Sequence, residues 1–274
     1  MSLVDTEWLE KNLDKTKIID CSWHMSQTNR NGFEEYKKQH IKNAIFFDLD
    51  KNSKKNTDLP HMLTDIKSWE NIVSDMGIKN NDEIVIYDNS DVISSCRCWY
   101  NFIYFGHDPK LVHVLDGGLK KWNTEKKQTN QEITQIKKTQ YKAIEFKNLV
   151  KSKNQIDENI NLAKFRIIDA RSKERFEGKE VEPRKNVRSG SIKNSLCLPF
   201  KNCINKNSNE FLKKSILSSK FKSIITDIND KNIVFTCGSG VTATVLAFAY
   251  SLINKNYLPI IYDGSWSEYG KDPT

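Results

Sequence analysis

The stretch Cys237-Gly238-Ser239-Gly240-Val241-Thr242 separates two apolar runs and decides the fold class. The run before it, Ile233-Val234-Phe235-Thr236, is β-branched and aromatic and predicts a buried strand. The run after it, residues 242–253, is longer, apolar and contains several alanines, which predicts a helix. A buried strand, a loop with glycines and a helix in this order are typical of α/β folds.

The position of Cys237 on this loop favours thiolate chemistry. The backbone N–H groups of such a loop and the positive end of the following helix dipole both stabilise an anion. A thiol held there is more readily ionised and becomes a nucleophile. The alternative is a buried core cysteine beside a glycine turn, which is the commoner fate of a single cysteine. The combination of loop, glycines and helix favours catalysis.

The composition indicates a soluble protein with no membrane segment. The chain has 274 residues, 38% of them hydrophobic, and a mean hydropathy of −0.63. It contains no apolar run long enough to cross a bilayer. The first residues, Met1-Ser2-Leu3-Val4-Asp5-Thr6-Glu7-Trp8, lack the basic and apolar regions of a signal peptide and the arginines of a mitochondrial transit peptide. We therefore expect a cytoplasmic location.

The formal net charge of +8 comes from lysines scattered along the chain, with no basic patch interleaved with aromatic residues. Nucleic-acid binding is therefore not expected, and the positive field is better suited to attracting a small anionic substrate. The six cysteines show no spacing of a secreted disulfide framework, and the pair Cys96-Arg97-Cys98 has no histidine-rich partner. We expect free thiols, no metal site and no organic cofactor.

An internal repeat organises the chain. The triplet Ile18-Ile19-Asp20 resembles Ile167-Ile168-Asp169, and the run ending at Asp88 resembles the run ending at Cys237, with the same spacing in both cases. Two Asp-Gly motifs near residues 116 and 263 follow at nearly that spacing. These markers predict two units of about 120 to 130 residues, each the size of a small domain.

We predict an N-terminal domain at residues 1–123, a linker at 124–146 and a C-terminal domain at 147–274. The linker is predicted because its first part is polar and has no sustained apolar period. Strands are predicted at 17–19, 44–47, 83–87, 112–115, 166–168, 195–197, 233–236 and 259–262. Helices are predicted at 69–76, 97–105 and 242–253. Their alternation indicates mostly parallel sheets, in which ligands bind at the carboxyl ends of strands.

The two halves differ where the chemistry is expected. Asp88 occupies the repeat position of Cys237, and Asn89-Ser90-Asp91-Val92 replaces the glycine loop. Because this half offers no thiol there, we expect it to be structural or to contribute residues to the site of the other half.

Together these features resemble the tandem-rhodanese sulfurtransferases, most closely those that act on 3-mercaptopyruvate. The resemblance covers nearly the whole chain and rests on motifs in both halves. They are Phe46-Phe47-Asp48-Leu49-Asp50, Leu59-Pro60-His61-Met62-Leu63, Asp169-Ala170-Arg171, Arg175-Phe176, Glu182-Pro183-Arg184 and Tyr262-Asp263-Gly264-Ser265-Trp266. The family's Gly-His-Ile-Pro-Gly stretch lacks its proline at both repeat positions here, which affects local packing. The resemblance implies two rhodanese-like domains, each a mostly parallel sheet flanked by helices.

The resemblance also implies roles for the loop residues. Cys237 would attack the sulfur of the donor and carry it as a persulfide. The N–H groups around Gly238, Gly240, Val241 and Thr242 would stabilise both anions, and the glycines would let the backbone form this cradle. We expect Thr242 to close the loop and cap the helix. By resemblance, Ser239, His61 and Asp50 form a proton relay, although a surface histidine and a solvated acid are the readings from sequence alone.

The residues after the cysteine bear on the donor. Thiosulfate sulfurtransferases carry Arg and Lys there, whereas this chain has the neutral Gly238 and Ser239. By resemblance, Arg175 and Arg184 hold the donor carboxylate, since guanidinium groups match carboxylates. The alternative for each arginine is an ion pair with Glu174, Glu177 or Glu182.

Three other functions compete with 3-mercaptopyruvate sulfurtransfer. A thiosulfate sulfurtransferase would have the same fold, and a non-catalytic binding module would have kept the fold without activity. A cysteine-loop phosphatase needs the spacing C-x5-R, but residue 243 is alanine, which excludes it. Cyanide, a small thiol and a thioredoxin-like protein are all chemically able to take the persulfide sulfur, and the sequence does not choose among these acceptors. We expect no nucleic-acid or membrane partner.

Overall fold

The structure, a computed structural model, describes residues 2–271. The chain divides into two compact units. The first contains residues 2–55, 63–146 and 206–210, and the second contains 56–62, 147–205 and 211–271. This division differs from the predicted boundaries, because residues 56–62 go with the second unit and the predicted linker goes with the first.

The first unit is built around a parallel sheet. Its strands are β1 (Leu3–Val4), β2 (Lys17–Asp20), β3 (His40–Ile41), β4 (Ala44–Phe46), β5 (Ile84–Tyr87), β6 (Val112–Leu115) and β7 (Thr129–Asn130). Its helices are α1 (Thr6–Asn12), α2 (Gly32–Lys38), α3 (Ile66–Asp75), α4 (Ser95–Tyr104) and α5 (Gly118–Thr124). The sheet order is β1-β6-β5-β2-β4, and all its pairs are parallel. The short strands β3 and β7 pair separately and antiparallel.

The second unit repeats this plan. Its strands are β8 (Val150–Lys151), β9 (Arg166–Asp169), β10 (Leu196–Cys197), β11 (Ile233–Thr236) and β12 (Ile261–Tyr262). Its helices are α6 (Lys153–Leu162), α7 (Lys173–Phe176), α8 (Lys214–Lys222), α9 (Val241–Ile253) and α10 (Ser265–Tyr269). The sheet order β10-β9-β11-β12-β8 is again parallel throughout. Read from the other edge, it matches the order of the first sheet, which confirms the predicted fold class.

The central strands explain why the fold class could be predicted from the sequence. All four residues of β5 and of β11 are buried, and both strands lie between two other strands. Strands covered by helices on both faces appear as continuous apolar runs without alternation. Seven helices were not predicted, since they are short or polar: α1, α2, α5, α6, α7, α8 and α10. Helix α6 does carry a readable signal, a capping box formed by Ser152 and Gln155.

The predicted linker packs against the first unit. Strand β7 pairs with β3, and Tyr141 is only 1% exposed and stacks on His107. The backbone N–H of Tyr141 donates to Ser74 Oγ at 2.9 Å. Backbone hydrogen bonds and one buried aromatic ring therefore attach a segment whose polar composition is otherwise typical of a linker.

A buried carboxyl in the first unit is held by a serine, whereas its counterpart in the second unit is held by an arginine. At matched repeat positions, Asp169 pairs with Arg171 through its carboxylate at 2.8 Å, whereas Asp20 faces Ser22. The Asp20 carboxyl accepts hydrogen bonds from the backbone and hydroxyl of Ser22 and is 1% exposed. Burial raises the pKa of Asp20 to about 7, and the neighbouring Asp88 adds to this shift.

We expect the first unit to lose stability as pH rises from about 4 to about 7. Because the folded-state pKa of Asp20 is raised, its contribution is complete below the unfolded pKa and is lost through about pH 7. Over this range the loss is at most about 4 kcal/mol. Urea unfolding at pH 5 and pH 8 should show a loss of up to about 3 kcal/mol in wild type and a smaller one in Asp20→Asn. The exposed Asp14→Asn is the matched control, and equal pH dependence in all three proteins would contradict the assignment.

Candidate active site

The loop of Cys237 leaves the centre of the second sheet. Cys237 follows β11, is 2% exposed and is followed by three loop residues before α9 begins at Val241. Gly240 is the N-cap of α9 and has a φ of 80°, a left-handed conformation that glycine adopts without steric cost. The thiol is therefore held at the carboxyl end of a central strand and at the start of a 13-residue helix.

The predicted capping role of Thr242 is wrong. The N-cap is Gly240, which offers no side chain, and Thr242 is the second residue of the helix. Within residues 2–271 the Thr242 hydroxyl makes no hydrogen bond. A glycine with positive φ turns the chain sharply enough that α9 begins one residue earlier than the sequence pattern predicts.

Because Gly240 has no side chain to cap α9, backbone N–H groups of the loop and of the first helical turn remain available to a ligand. In the part of the chain that the structure describes, the backbone N–H groups of Gly238, Ser239, Val241 and Thr242 have no protein acceptor. The first N–H groups of a helix point out of its N-terminus and have no partner within the helix. Together with the helix dipole they form a concave group of donors suited to an anion on sulfur.

Helix α10 holds two backbone carbonyl groups of the loop. The N–H of Trp266 donates to the carbonyl of Cys237 at 2.9 Å, and the N–H of Ser267 donates to the carbonyl of Gly238 at 2.8 Å. The first unit has the matching bond, from Leu119 to the carbonyl of Asp88 at 3.0 Å. This clamp is therefore part of the repeated fold.

Ser265 adds a contact that the sequence reasoning missed. Its Oγ accepts the N–H of Cys237 at 3.3 Å and donates to the carbonyl of Tyr262 at 2.8 Å. Its φ is 50°, an uncommon value for a residue with a side chain, and the matching residue of the first unit is Gly118. The exchange of Gly118 for Ser265 between the repeats was the available signal.

Other thiols of the chain are poorly suited to nucleophilic chemistry. Burial raises the pKa of Cys197 to about 11 and that of Cys203 to about 12. Burial also raises the pKa of Cys21 and Cys96 well above the ordinary range. These four thiols stay protonated near neutral pH, and all six cysteines are free of disulfides.

Two guanidinium groups lie directly beside Gly238. A Cβ placed on this glycine would lie 3.1 Å from Nη1 of Arg184 and 3.4 Å from Nη2 of Arg175. Glycine at this position therefore allows both cations to approach the backbone next to Cys237. The structure thus brings together the loop and both arginines that the resemblance implied as the carboxylate site.

The two arginines differ in their partners. Arg175 donates to Glu182 from Nε at 3.1 Å and from Nη2 at 2.5 Å, which is the ion pair considered as its alternative. Glu182 also accepts from Arg171 Nη1 at 2.7 Å. Arg171 in turn pairs with Asp169, so buried carboxylates hold this arginine.

Arg184 is the unpaired cation of the site. Among residues 2–271 its guanidinium has neither a hydrogen-bond acceptor nor an ion-pair partner, and its side chain is half-buried. Burial lowers its pKa; Cys237 opposes that shift, Arg175 adds to it and Glu182 opposes it. An arginine remains charged at neutral pH in such surroundings. A half-buried, unpaired guanidinium beside a nucleophile is available to an anionic ligand.

Ser239 shares a hydrogen bond with His61. The hydroxyl oxygen and His61 Nδ1 lie 2.9 Å apart, and both side chains are buried. His61 belongs to the second unit and has a φ of 60°, a strained value of the kind found at functional sites. Asp50 belongs to the first unit, where its carboxylate accepts the Trp23 indole N–H at 2.9 Å. Its part in a relay stays a prediction.

Two kinds of feature are absent from residues 2–271: metal-binding clusters and membrane-spanning helices. No group of three or more His, Cys, Asp or Glu side chains is arranged to hold a metal ion. None of the described helices combines the length and the apolar character needed to cross a bilayer.

Comparison with known proteins finds similarity along the whole chain. The profile of the rhodanese-like domain matches residues 5–125 and 152–272. Thiosulfate/3-mercaptopyruvate sulfurtransferase 1, mitochondrial, of Arabidopsis thaliana is 38% identical over 99% of this chain and 76% of its own length. Human 3-mercaptopyruvate sulfurtransferase is 32% identical over 98% of this chain and 91% of its own. The crystal structure of SseA, a 3-mercaptopyruvate sulfotransferase from Escherichia coli, is similar with a TM-score of 0.86 at 26% identity, covering 97% of this chain and 99% of its own.

Proposed function

Because the chain belongs to the rhodanese family of sulfurtransferases, with a rhodanese-like domain in each half, we propose that it transfers sulfur from 3-mercaptopyruvate through a persulfide on Cys237. The observation that carries this proposal is the unpaired guanidinium of Arg184 beside the neutral Gly238-Ser239 loop. A single free cation near an uncharged loop suits a donor with one carboxylate and an uncharged sulfur end.

The first step forms the persulfide. The Cys237 thiolate attacks the donor sulfur, a sulfur–sulfur bond forms and the carbon–sulfur bond breaks. The electron pair of the broken bond goes to the methylene carbon as an enolate, which takes a proton to give pyruvate. The open N–H groups of Gly238, Ser239, Val241 and Thr242 stabilise negative charge on sulfur before and after this step.

The proton for the enolate needs a carrier near the reacting sulfur. Ser239 lies two residues from the nucleophile, and its hydroxyl is hydrogen-bonded to His61 at 2.9 Å. An imidazole exchanges protons near neutral pH and passes them through a hydroxyl at this distance. We propose that this pair delivers the proton, with Asp50 orienting His61 as the sequence resemblance implies.

The donor carboxylate is placed by the arginines. Arg184 offers a full unpaired charge, whereas Nε and Nη2 of Arg175 are already bonded to Glu182. We propose that Arg184 provides the main ionic contact and that Arg175, whose Nη2 lies beside Gly238, assists it. Anchoring the carboxylate next to Gly238 orients the donor sulfur relative to Cys237.

The second half-reaction returns the enzyme to its starting form. A thiol or cyanide attacks the outer persulfide sulfur, and the Cys237 thiolate leaves. A thioredoxin-like protein is a further acceptor in this proposal, since it presents a reactive thiol. A cytoplasmic location stays a prediction, and one of the similar proteins is named as mitochondrial.

Thiosulfate is the alternative donor, and the name of the Arabidopsis relative joins both donors. The observation that favours thiosulfate is the presence of two guanidinium groups beside Gly238. The pairing of Arg175 with Glu182 argues against it, because it offsets one of these two charges.

A comparison of donors tests the proposed function. We expect kcat/KM to be at least about tenfold higher for 3-mercaptopyruvate than for thiosulfate, because the neutral loop binds an uncharged sulfur end better. With cyanide as the common acceptor, both reactions yield thiocyanate and are followed by one assay. A higher kcat/KM for thiosulfate would reverse the choice of donor and leave the persulfide mechanism in place.

A further inference from the structure

A buried carboxylate lies behind the donor site and does not belong to the loop. Glu182 has a side chain only 1% exposed and accepts hydrogen bonds from two arginines. Arg171 Nη1 donates to Oε1 at 2.7 Å, and Arg175 Nη2 donates to Oε2 at 2.5 Å. The Arg175 atom that binds Glu182 is also the one nearest to Gly238.

The charges of this cluster can be counted from its pairs. Asp169 offsets Arg171, and Glu182 offsets Arg175, which leaves Arg184 as the one uncompensated charge beside the loop among the residues described. Without Glu182 the same loop would face two uncompensated cations. The carboxylate therefore changes the charge that a bound donor must balance.

We propose that Glu182 is a specificity-determining residue that selects a donor with one negative charge over a donor with two. It acts through Arg175 and not by touching the donor, so it is a positioning and charge-setting residue. This inference rests on the proposed function for its choice of donors. The dianionic donor class is represented by thiosulfate and the monoanionic class by 3-mercaptopyruvate.

The burial of Glu182 is what makes its charge effective. Charges on exposed side chains are screened by water and salt, whereas a buried carboxylate interacts through a medium of lower dielectric constant. Its charge acts beside the donor site, because the Arg175 nitrogen that it binds is also the one next to Gly238. An exposed glutamate on the same segment, Glu177, pairs with Lys173 and Lys179 at the surface. Glu177 is thus a suitable matched control.

The test compares Glu182→Gln with Glu177→Gln. We expect Glu182→Gln to raise the ratio of kcat/KM for thiosulfate to that for 3-mercaptopyruvate about tenfold, the effect of one unit charge in a partly buried site. Glu177→Gln should leave the ratio within about twofold of wild type, as for exposed pairs.

A second readout does not depend on turnover. Iodoacetate is anionic and iodoacetamide is neutral, and both alkylate Cys237, so the ratio of their rates reports the electrostatic potential at the thiol. We expect Glu182→Gln to raise this ratio about tenfold. A purely structural role for Glu182 would change both alkylation rates together and leave their ratio unchanged.

Removing the ion pair as a whole keeps the test decisive even where the single variant fails to fold. Arg175→Gln should lower the alkylation ratio, and the double variant Arg175→Gln/Glu182→Gln should restore it, because the net charge returns to that of wild type. A double variant that keeps the alkylation ratio of Arg175→Gln would overturn the proposal, as would an unchanged ratio in folded Glu182→Gln.

If the wild-type protein prefers thiosulfate, the proposed function is wrong, while the alkylation ratios still decide the role of Glu182.

Discussion

Sulfur transfer is expected to fall by a factor of at least ~10⁴ when Cys237 is replaced by serine. A hydroxyl at this position is neither ionised at neutral pH nor able to form a persulfide, so the covalent route is lost. Intact-protein mass spectrometry after incubation with donor should show one added sulfur atom on wild type and none on Cys237→Ser. The same samples give the loss of thiocyanate formation.

The controls for this prediction are the other thiols. Cys197→Ser and Cys203→Ser should keep the adduct and most of the activity, since burial raises the pKa of both thiols far above neutral pH. An added sulfur atom that persists in Cys237→Ser would move the chemistry to another cysteine. A wild-type protein that never gains the sulfur would support the non-catalytic binding module instead.

Arg184→Gln is expected to lower kcat/KM for 3-mercaptopyruvate by about 100- to 1,000-fold, mainly through KM. The variant removes a guanidinium that has no ion-pair partner among residues 2–271 and is therefore available to the donor. Charge-assisted hydrogen bonds are worth about 1.5–3 kcal/mol each. Two such contacts to a carboxylate, each near the lower end of this range and together worth about 3–4 kcal/mol, account for the expected loss. Steady-state kinetics with cyanide as acceptor measures the change.

The midpoint temperature of thermal unfolding distinguishes a loss of donor binding in Arg184→Gln from misfolding of the variant. Arg184 makes no hydrogen bond or ion pair within the described residues, so Arg184→Gln should unfold at a temperature close to that of wild type. Lys185→Gln, an exposed neighbour with the same change in charge, should keep both midpoint and kcat/KM. A fall in kcat with an unchanged KM would assign Arg184 to the chemical step and not to donor binding.

The central elements were predictable because their cause is local. The runs that became β5 and β11 are continuously apolar, which marks strands covered on both faces. The repeat predicted two similar units, and their two sheets do have the same strand order when one is read from its other edge. The polar segment 124–146 was harder to predict, since its attachment depends on β3, His107 and Ser74, which lie far away in sequence.

The sequence and its resemblance predicted which residues form the site, but not which of these side chains form ion pairs with each other. The cysteine loop, Arg175 and Arg184 followed from the sequence and its resemblance. Nothing in the sequence distinguishes Arg175, bonded to the buried Glu182, from the unpaired Arg184. That difference arises from side chains that meet only after the strands and loops pack.

By itself the sequence determined that this protein contains two α/β repeats and that only the second carries a thiol at the end of its central strand. These properties follow from hydrophobic runs, glycines and one exchange of Asp88 for Cys237, all of which are local. The tertiary structure alone decided that Ser265 holds the backbone of Cys237. It also decided which arginine keeps its charge for a ligand. Charge compensation depends on distances of about 3 Å between groups remote in sequence, and packing sets those distances.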